Sequence, residues 1–152
     1  MGISDAYWMQ RAYALALRAR AEGEVPVGAV VVGEGNQLLG EGFNQVLTNN
    51  DPTAHAEMIA IRNAAAHQNN YRLNNATLYV TLEPCCMCAG ALVHARVHRL
   101  VFATRDLRAG AAGSVFNLMQ SRALNHAIQM DEGPLEHESA ALLIDFFKMR
   151  RE

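Results

Sequence analysis

The chain is poor in several things, and each shortage excludes something. Among 152 residues there are three cysteines, one tryptophan and four prolines, and Lys148 is the only lysine among thirteen basic residues. No apolar run approaches the roughly 18 residues that a membrane span needs. The N-terminus has no basic segment leading into an apolar one, so no secretory leader is expected. Met1-Gly2 is followed by Ala6 where a myristoylation motif requires Ser or Thr. A strong charge of either sign is also missing. The net charge of −2 does not mark a general polyanion binder, although a local basic patch suffices for phosphate contacts. Repeats and linker-like stretches are absent too, so one domain over residues 1–152, located in the cytoplasm, is expected. With 51% apolar residues, a chain of this length can bury roughly 70% of its unfolded surface.

The three cysteines all lie between positions 85 and 88. Neighbouring thiols make poor disulfide partners and a reducing compartment disfavours disulfides, so the cluster points to a metal. Two runs supply the ligands. Thr53-Ala54-His55-Ala56-Glu57 contains a histidine with a carboxylate two residues on. Pro84-Cys85-Cys86-Met87-Cys88 contains a Cys-x-x-Cys pair. One imidazole and two thiolates suit Zn²⁺, and three protein ligands leave a fourth position open, as in catalytic rather than structural zinc sites. Cys86 is expected to stay out of the ligand set. His94 and His98 straddle a helix end and a strand start, and surface positions are expected for both.

The chain suggests an alternation of helices and strands. Ser4 or Asp5 caps a first helix to about Ala21, with Trp8, Ala12, Leu15 and Ala19 as its buried stripe. Val25 to Val32 is too apolar to have a wet face and predicts a central strand, in which the small Gly28 and Ala29 allow close approach of a ligand or backbone. Gly33-Glu34-Gly35-Asn36 turns into a partner strand, Gln37 to Phe43. Asn44 to Asp51 is expected as a loop. Pro52 and Thr53 signal a helix start. Ala76 to Leu82 predicts a third strand, and Cys85 to Ala95 a helix whose Ala89, Gly90 and Ala91 pack on the sheet. Arg99 to Ala103 predicts a fourth strand. Thr104 to Gly113 predicts a loop, Ser114 to Met119 a short helix, Ala127 to Met130 a short fifth strand, and Leu135 to Arg151 a final helix. Glu22, Glu24, Glu132, Glu136 and Glu138 are expected to be solvated, and Leu142, Leu143, Phe146 and Phe147 to be mainly core. The fold class is α/β: a three-layer α-β-α arrangement with a mixed five-stranded sheet and helices on both faces.

Residues two apart on a helix point away from each other, so His55 and Glu57 can share a site only at a helix start. Cys85 and Cys88, three apart in a first turn, share a face. Two helix N-termini would then converge on one zinc and favour thiolate ligands. Glu57 is free to carry protons for a hydrolysis that adds water at an unsaturated C–N centre and releases ammonia.

The His-Ala-Glu and Pro-Cys-x-x-Cys pair resembles the signature of zinc-dependent nucleoside and nucleobase deaminases, the cytidine deaminase-like superfamily. Longer runs resemble the bacterial tRNA-specific adenosine deaminases: Glu24 to Val30, Gly42 to Asn44, Asp51 to Glu57, Thr77 to Cys85, Met87 to Ala91, Gly110 to Ser114 and Asp145 to Arg151. The resemblance implies zinc-dependent conversion of adenosine to inosine at the wobble position of a tRNA anticodon, in a homodimer with one Zn²⁺ per subunit. It implies His55, Cys85 and Cys88 as zinc ligands and Glu57 as general acid/base. Asn44 would bond the flipped nucleoside, and Val27, Ala56 and Pro84 would wall the base. Asp106 would meet the anticodon, where a carboxylate suits a ribose 2′-OH. Arg105, Arg108, Lys148, Arg150 and Arg151 would contact the RNA backbone. A deaminase of free bases or nucleosides, and a non-catalytic zinc-bearing RNA-binding subunit, remain as alternatives.

Overall fold

The computed structural model describes residues 4–150 except 122 and 125. In chain order the elements are α1 (Asp5–Ala21), β1 (Gly28–Gly33), a 3₁₀ turn (Glu34–Asn36), β2 (Gln37–Phe43), α2 (Val46–Asn49), α3 (Ala56–Gln68), β3 (Thr77–Leu82), α4 (Cys86–His94), β4 (Arg99–Thr104), β5 (Gln129–Glu132) and α5 (Glu136–Arg150). The strands form one sheet in the order β2-β1-β3-β4-β5. β1 pairs antiparallel with β2 and β3, while β3, β4 and β5 run parallel. The expected mixed five-stranded α/β architecture is therefore present.

Strand side chains alternate between faces, and the core divides accordingly. Ala29, Val31, Leu78, Val80, Leu100 and Phe102 pack with α3 and α4 residues such as Ala60, Ala64, Ala89 and Leu92. Val30, Val32, Tyr79, Val101 and Ala103 pack with Trp8, Met9 and Ala12 of α1. The small Gly28 is explained by backbone rather than ligand. A Cβ there would lie 2.1 Å from the Ala12 carbonyl oxygen, so α1 seats directly on β1. Arg99 ties α1 to the far edge of the sheet, pairing at 2.8 Å with both Asp5 and Asp131.

Several expected boundaries shift, each for a local reason. The first strand begins at Gly28, after Val25-Pro26-Val27. Thr53 does not cap a helix. Its N–H and hydroxyl both donate to Asp51 Oδ1 (2.8 and 2.7 Å), closing an Asx turn, and α3 starts only at Ala56 with His55 as N-cap. The 44–51 segment contains the short helix α2. Ser114 to Met119 is not helical, because the Ser114 N–H and hydroxyl are committed to Glu83 and a bridge joins Ala112 to Asn117. The fifth ladder begins at Gln129, since the N–H of buried Ile128 donates to Met119 rather than to β4. Gly90 has no atom within 4 Å of its would-be Cβ and faces a surface groove instead of the sheet.

Glu24 is not a solvated charge. It is 1% exposed, and its carboxylate accepts from the Leu47 and Thr48 N–H groups and the Thr48 hydroxyl. In α5, Leu142 and Leu143 are core as expected, but Phe147 is exposed and Phe146 half-buried. Among the described residues no helix is long and apolar enough to cross a membrane.

Candidate active site

Two helix starts face each other at the C-terminal edge of β3. His55 is the N-cap of α3 and Cys85 the N-cap of α4, and neither helix has a side-chain hydrogen bond at its cap. Neither end is closed by its own cap side chain, so both carry partial positive charge toward the site. His55 Nδ1 lies 3.6 Å from Cys85 Sγ and 3.5 Å from Cys88 Sγ, and the three donor atoms all fall within 4.8 Å of one another. Tetrahedral zinc with ordinary Zn–S and Zn–N lengths spaces sulfur and nitrogen about 3.6 Å apart. The donor set and its spacing fit one Zn²⁺. Cys86 is exposed and outside the set, and His94 and His98 are exposed.

The charge states favour a metal ligand pair. The Cys85 thiol is pulled down to about 3, first by the Cys88 thiol donating to it and then by His55. Cys88 is pushed up, chiefly because it is that donor, and also by burial. Cys85 is a ready thiolate, and Cys88 must lose its proton when a metal takes both sulfurs.

Glu57 is the second residue of α3 and only 4% exposed. Burial pushes its carboxyl up to about 7, so near neutral pH it is suited to take and return a proton. Asn44 is also buried. Its Oδ1 accepts from the Ala56 N–H at 2.7 Å, which satisfies one free N–H of α3 and fixes the amide plane. The side-chain NH₂ is then the group Asn44 can offer to a ligand.

A cavity of about 280 Å³ brings Val27, Asn44, His55, Glu57, Cys85 and Asp106 together. Ala56 and Pro84, expected as base-pocket walls, are buried but are not among its lining residues. Val25, Leu82, Glu83, Ala109 and Phe147 complete the lining. A neighbouring cavity of about 430 Å³ shares Val25, Asn44, His55 and Phe147 and extends to Glu24, Leu47 and Arg150.

The five expected backbone contacts separate. Arg105 is bound internally, to Glu132 and Ser114, and lies over the Phe102 ring. Arg150 donates to the Gly23 carbonyl and stacks on Phe146. Arg108 and Lys148 share a third cavity with Ile144 and Phe147. Arg151 lies outside the described residues.

Sequence reasoning missed Glu83 and Phe147. Glu83 stands between an apolar strand and Pro84, where a carboxylate reads as solvated until its donors are known. Glu83 is 1% exposed. Burial raises its pKa, but hydrogen bonds from Ser114, Asp106 and Ala112 outweigh it and hold the carboxyl below its ordinary value.

Residues 3–104 match the model of the cytidine and deoxycytidylate deaminase zinc-binding region. The chain is 49% identical to a tRNA-specific adenosine deaminase of Haemophilus influenzae over 97% of this chain and 86% of that one. It superposes with a TM-score of 0.87 and 39% identity on a solved protein from work on A-to-I editing by tRNA:A34 deaminases at the wobble position of transfer RNA, covering 91% of this chain and 99% of that one. It is also similar to the guanine deaminase of Nitrosomonas europaea, with a TM-score of 0.80 and 26% identity over 96% and 85% of the two chains.

Proposed function

The chain belongs to the family of the cytidine and deoxycytidylate deaminase zinc-binding region, and from that premise we propose that it is a tRNA adenosine deaminase converting adenosine to inosine at the wobble position of an anticodon. The observation that carries this reading is that a three-donor zinc site opens, through His55 and Cys85, into one cavity with Glu57, Asn44 and Asp106.

His55, Cys85 and Cys88 would hold the metal. A bound Zn²⁺ supplies a water whose pKa falls from about 15.7 to about 7. Glu57 takes a proton within the cavity and delivers it to the departing amine, so that adenine C6 exchanges its amino group for oxygen and ammonia leaves. The target base must leave the stack to reach this depth. Asn44 orients it through its NH₂, because its oxygen is already engaged with Ala56. Asp106 accepts from the ribose 2′-OH, and its own Oδ1 is steadied by the Arg108 and Ala109 N–H groups. Arg108 and Lys148, together on one cavity wall, meet the RNA backbone.

The assay measures inosine and ammonia from an anticodon stem-loop with adenosine at the wobble position, and from free adenosine and guanine. Turnover of the stem-loop is expected. Turnover of a free base or nucleoside without the stem-loop would move the enzyme to the small-molecule deaminases, which the likeness to a guanine deaminase favours as second reading. Stem-loop binding with no turnover would leave the non-catalytic subunit. The proposal includes a single cytoplasmic deaminase domain that pairs as a homodimer with one zinc per subunit. Light scattering and metal content test the last two points.

A further inference from the structure

We propose that Glu83 is a positioning residue for substrate selection, its buried carboxylate fixing the loop that carries Asp106 so that the chain distinguishes a ribose from a deoxyribose. The proposal rests on the tRNA deaminase reading, which gives Asp106 its ribose partner.

Glu83 collects donors from three points of one loop. Its Oε1 accepts from the Asp106 N–H at 3.0 Å and from the Ser114 hydroxyl. Its Oε2 accepts from the N–H groups of Ala112 (2.9 Å) and Ser114 (3.1 Å). Its own N–H donates to the Thr104 carbonyl at 2.8 Å. The loop is thus fastened to a residue two positions before Cys85, and the fit is close. A Cβ on Gly110 would stand 2.4 Å from the Glu83 carboxyl carbon. Asp106 inherits this order. Its N–H is held by Glu83 and its Oδ1 by the Arg108 and Ala109 N–H groups, while among the described residues Oδ2 receives no hydrogen bond.

The four groups hydrogen-bonded to Glu83 are all donors, and the Arg105 guanidinium lies 3.8 Å from Oε1, so both oxygens must accept. Glutamine keeps the shape but turns an NH₂ toward N–H groups, and a buried donor without an acceptor is costly. Glu83 differs from Glu57 in role: its carboxylate is occupied by the protein, and it acts through Asp106.

The test uses the zinc-loaded chain and two stem-loops, with adenosine or 2′-deoxyadenosine at the target. Glu83→Gln is expected to keep its zinc and to hold kcat on the ribose substrate within about threefold. KM should rise about tenfold and the ribose-to-deoxyribose preference fall about tenfold, as for losing one charge-assisted hydrogen bond. Asp106→Asn should lower the same preference, and the double variant should fall no further, because the two residues act through one contact. An unchanged preference in Glu83→Gln, or additive losses in the double variant, would overturn the proposal. So would a loss confined to kcat. Should Glu83→Gln fail to fold, Ser114→Ala decides: it removes one donor and should reduce the preference about twofold to threefold. No change there rejects the proposal. If the parent chain leaves both stem-loops untouched, the functional reading fails by itself. Amide exchange at Asp106, Ala112 and Ser114 then separates the cases, faster exchange in Glu83→Gln supporting the clamp and equal exchange refuting it.

Discussion

At the scale of the residue, the site depends on which atoms are already spoken for. Asn44 gives its oxygen to Ala56, Arg105 gives its guanidinium to Glu132 and Ser114, and Glu83 gives both oxygens to one loop. What is left over is what the proposed reaction would use: an amide NH₂, one Asp106 oxygen and the buried Glu57 carboxyl. Glu57→Ala is expected to retain zinc, since the three donors lie elsewhere, and to lose about 10²- to 10⁴-fold in turnover, the usual worth of a positioned proton carrier. Metal analysis beside the stem-loop assay checks this. Zinc lost together with activity would make Glu57 part of the metal site. His55, Glu57 and the two cysteines were legible in the sequence because their chemistry constrains their spacing. Glu83 and Glu24 were not, because a carboxylate beside a turn looks solvated until the donors around it are known.

At the scale of the element, short segments are held by buried acids. Glu24 fixes α2, the helix that follows Asn44. Burial alone would raise its pKa, but the Thr48 and Leu47 hydrogen bonds outweigh it and hold it below the ordinary 4.5. A depressed carboxyl contributes stability above its unfolded pKa and loses that contribution as pH falls through the folded value. Glu24→Gln should therefore be less stable than the parent by about 2 kcal/mol near pH 7, with the gap closing as pH falls below the ordinary carboxylate value of 4.5 and through the lower folded one. Urea melts across that range measure it, and a constant gap would contradict the assignment. Elements with strong patterns were legible: α1 from its Ser4 cap, and β1, β3 and β4 from continuous apolar runs. Boundaries failed where a side chain competed with the ladder or helix, as Asp51 does before α3 and Glu83 does at Ser114. The outward turn of Phe147 escaped notice because apolar periodicity cannot separate a core stripe from a cavity wall.

At the scale of the molecule, one sheet aligns two helix starts that are about thirty residues apart in sequence. Zinc bound there would link α3 to α4 across the edge of β3, whereas the two packed faces of the sheet are built from residues other than the three donors. Chelation should lower the melting temperature and leave the secondary structure in place at ambient temperature. At free zinc about 1,000 times the dissociation constant, the loss is about 4 kcal/mol, or roughly 8–16 °C for a chain of this size. Thermal melts with and without chelator, followed by circular dichroism, give the answer. Sheet order was beyond the sequence: nothing local says that β1 separates β2 from β3.

The internal pairing of Arg105 and Arg150 has a consequence for counterions. Of the four described cations proposed to meet RNA, those two are engaged within the protein, leaving Arg108 and Lys148 to displace salt from a single strand. Two phosphate contacts from the described residues contribute about −1.4 to the slope of log affinity against log salt, whereas four would contribute about −2.8. Titration of a stem-loop at several salt concentrations should return the shallower line, with affinity resting on the buried nucleotide more than on its phosphates.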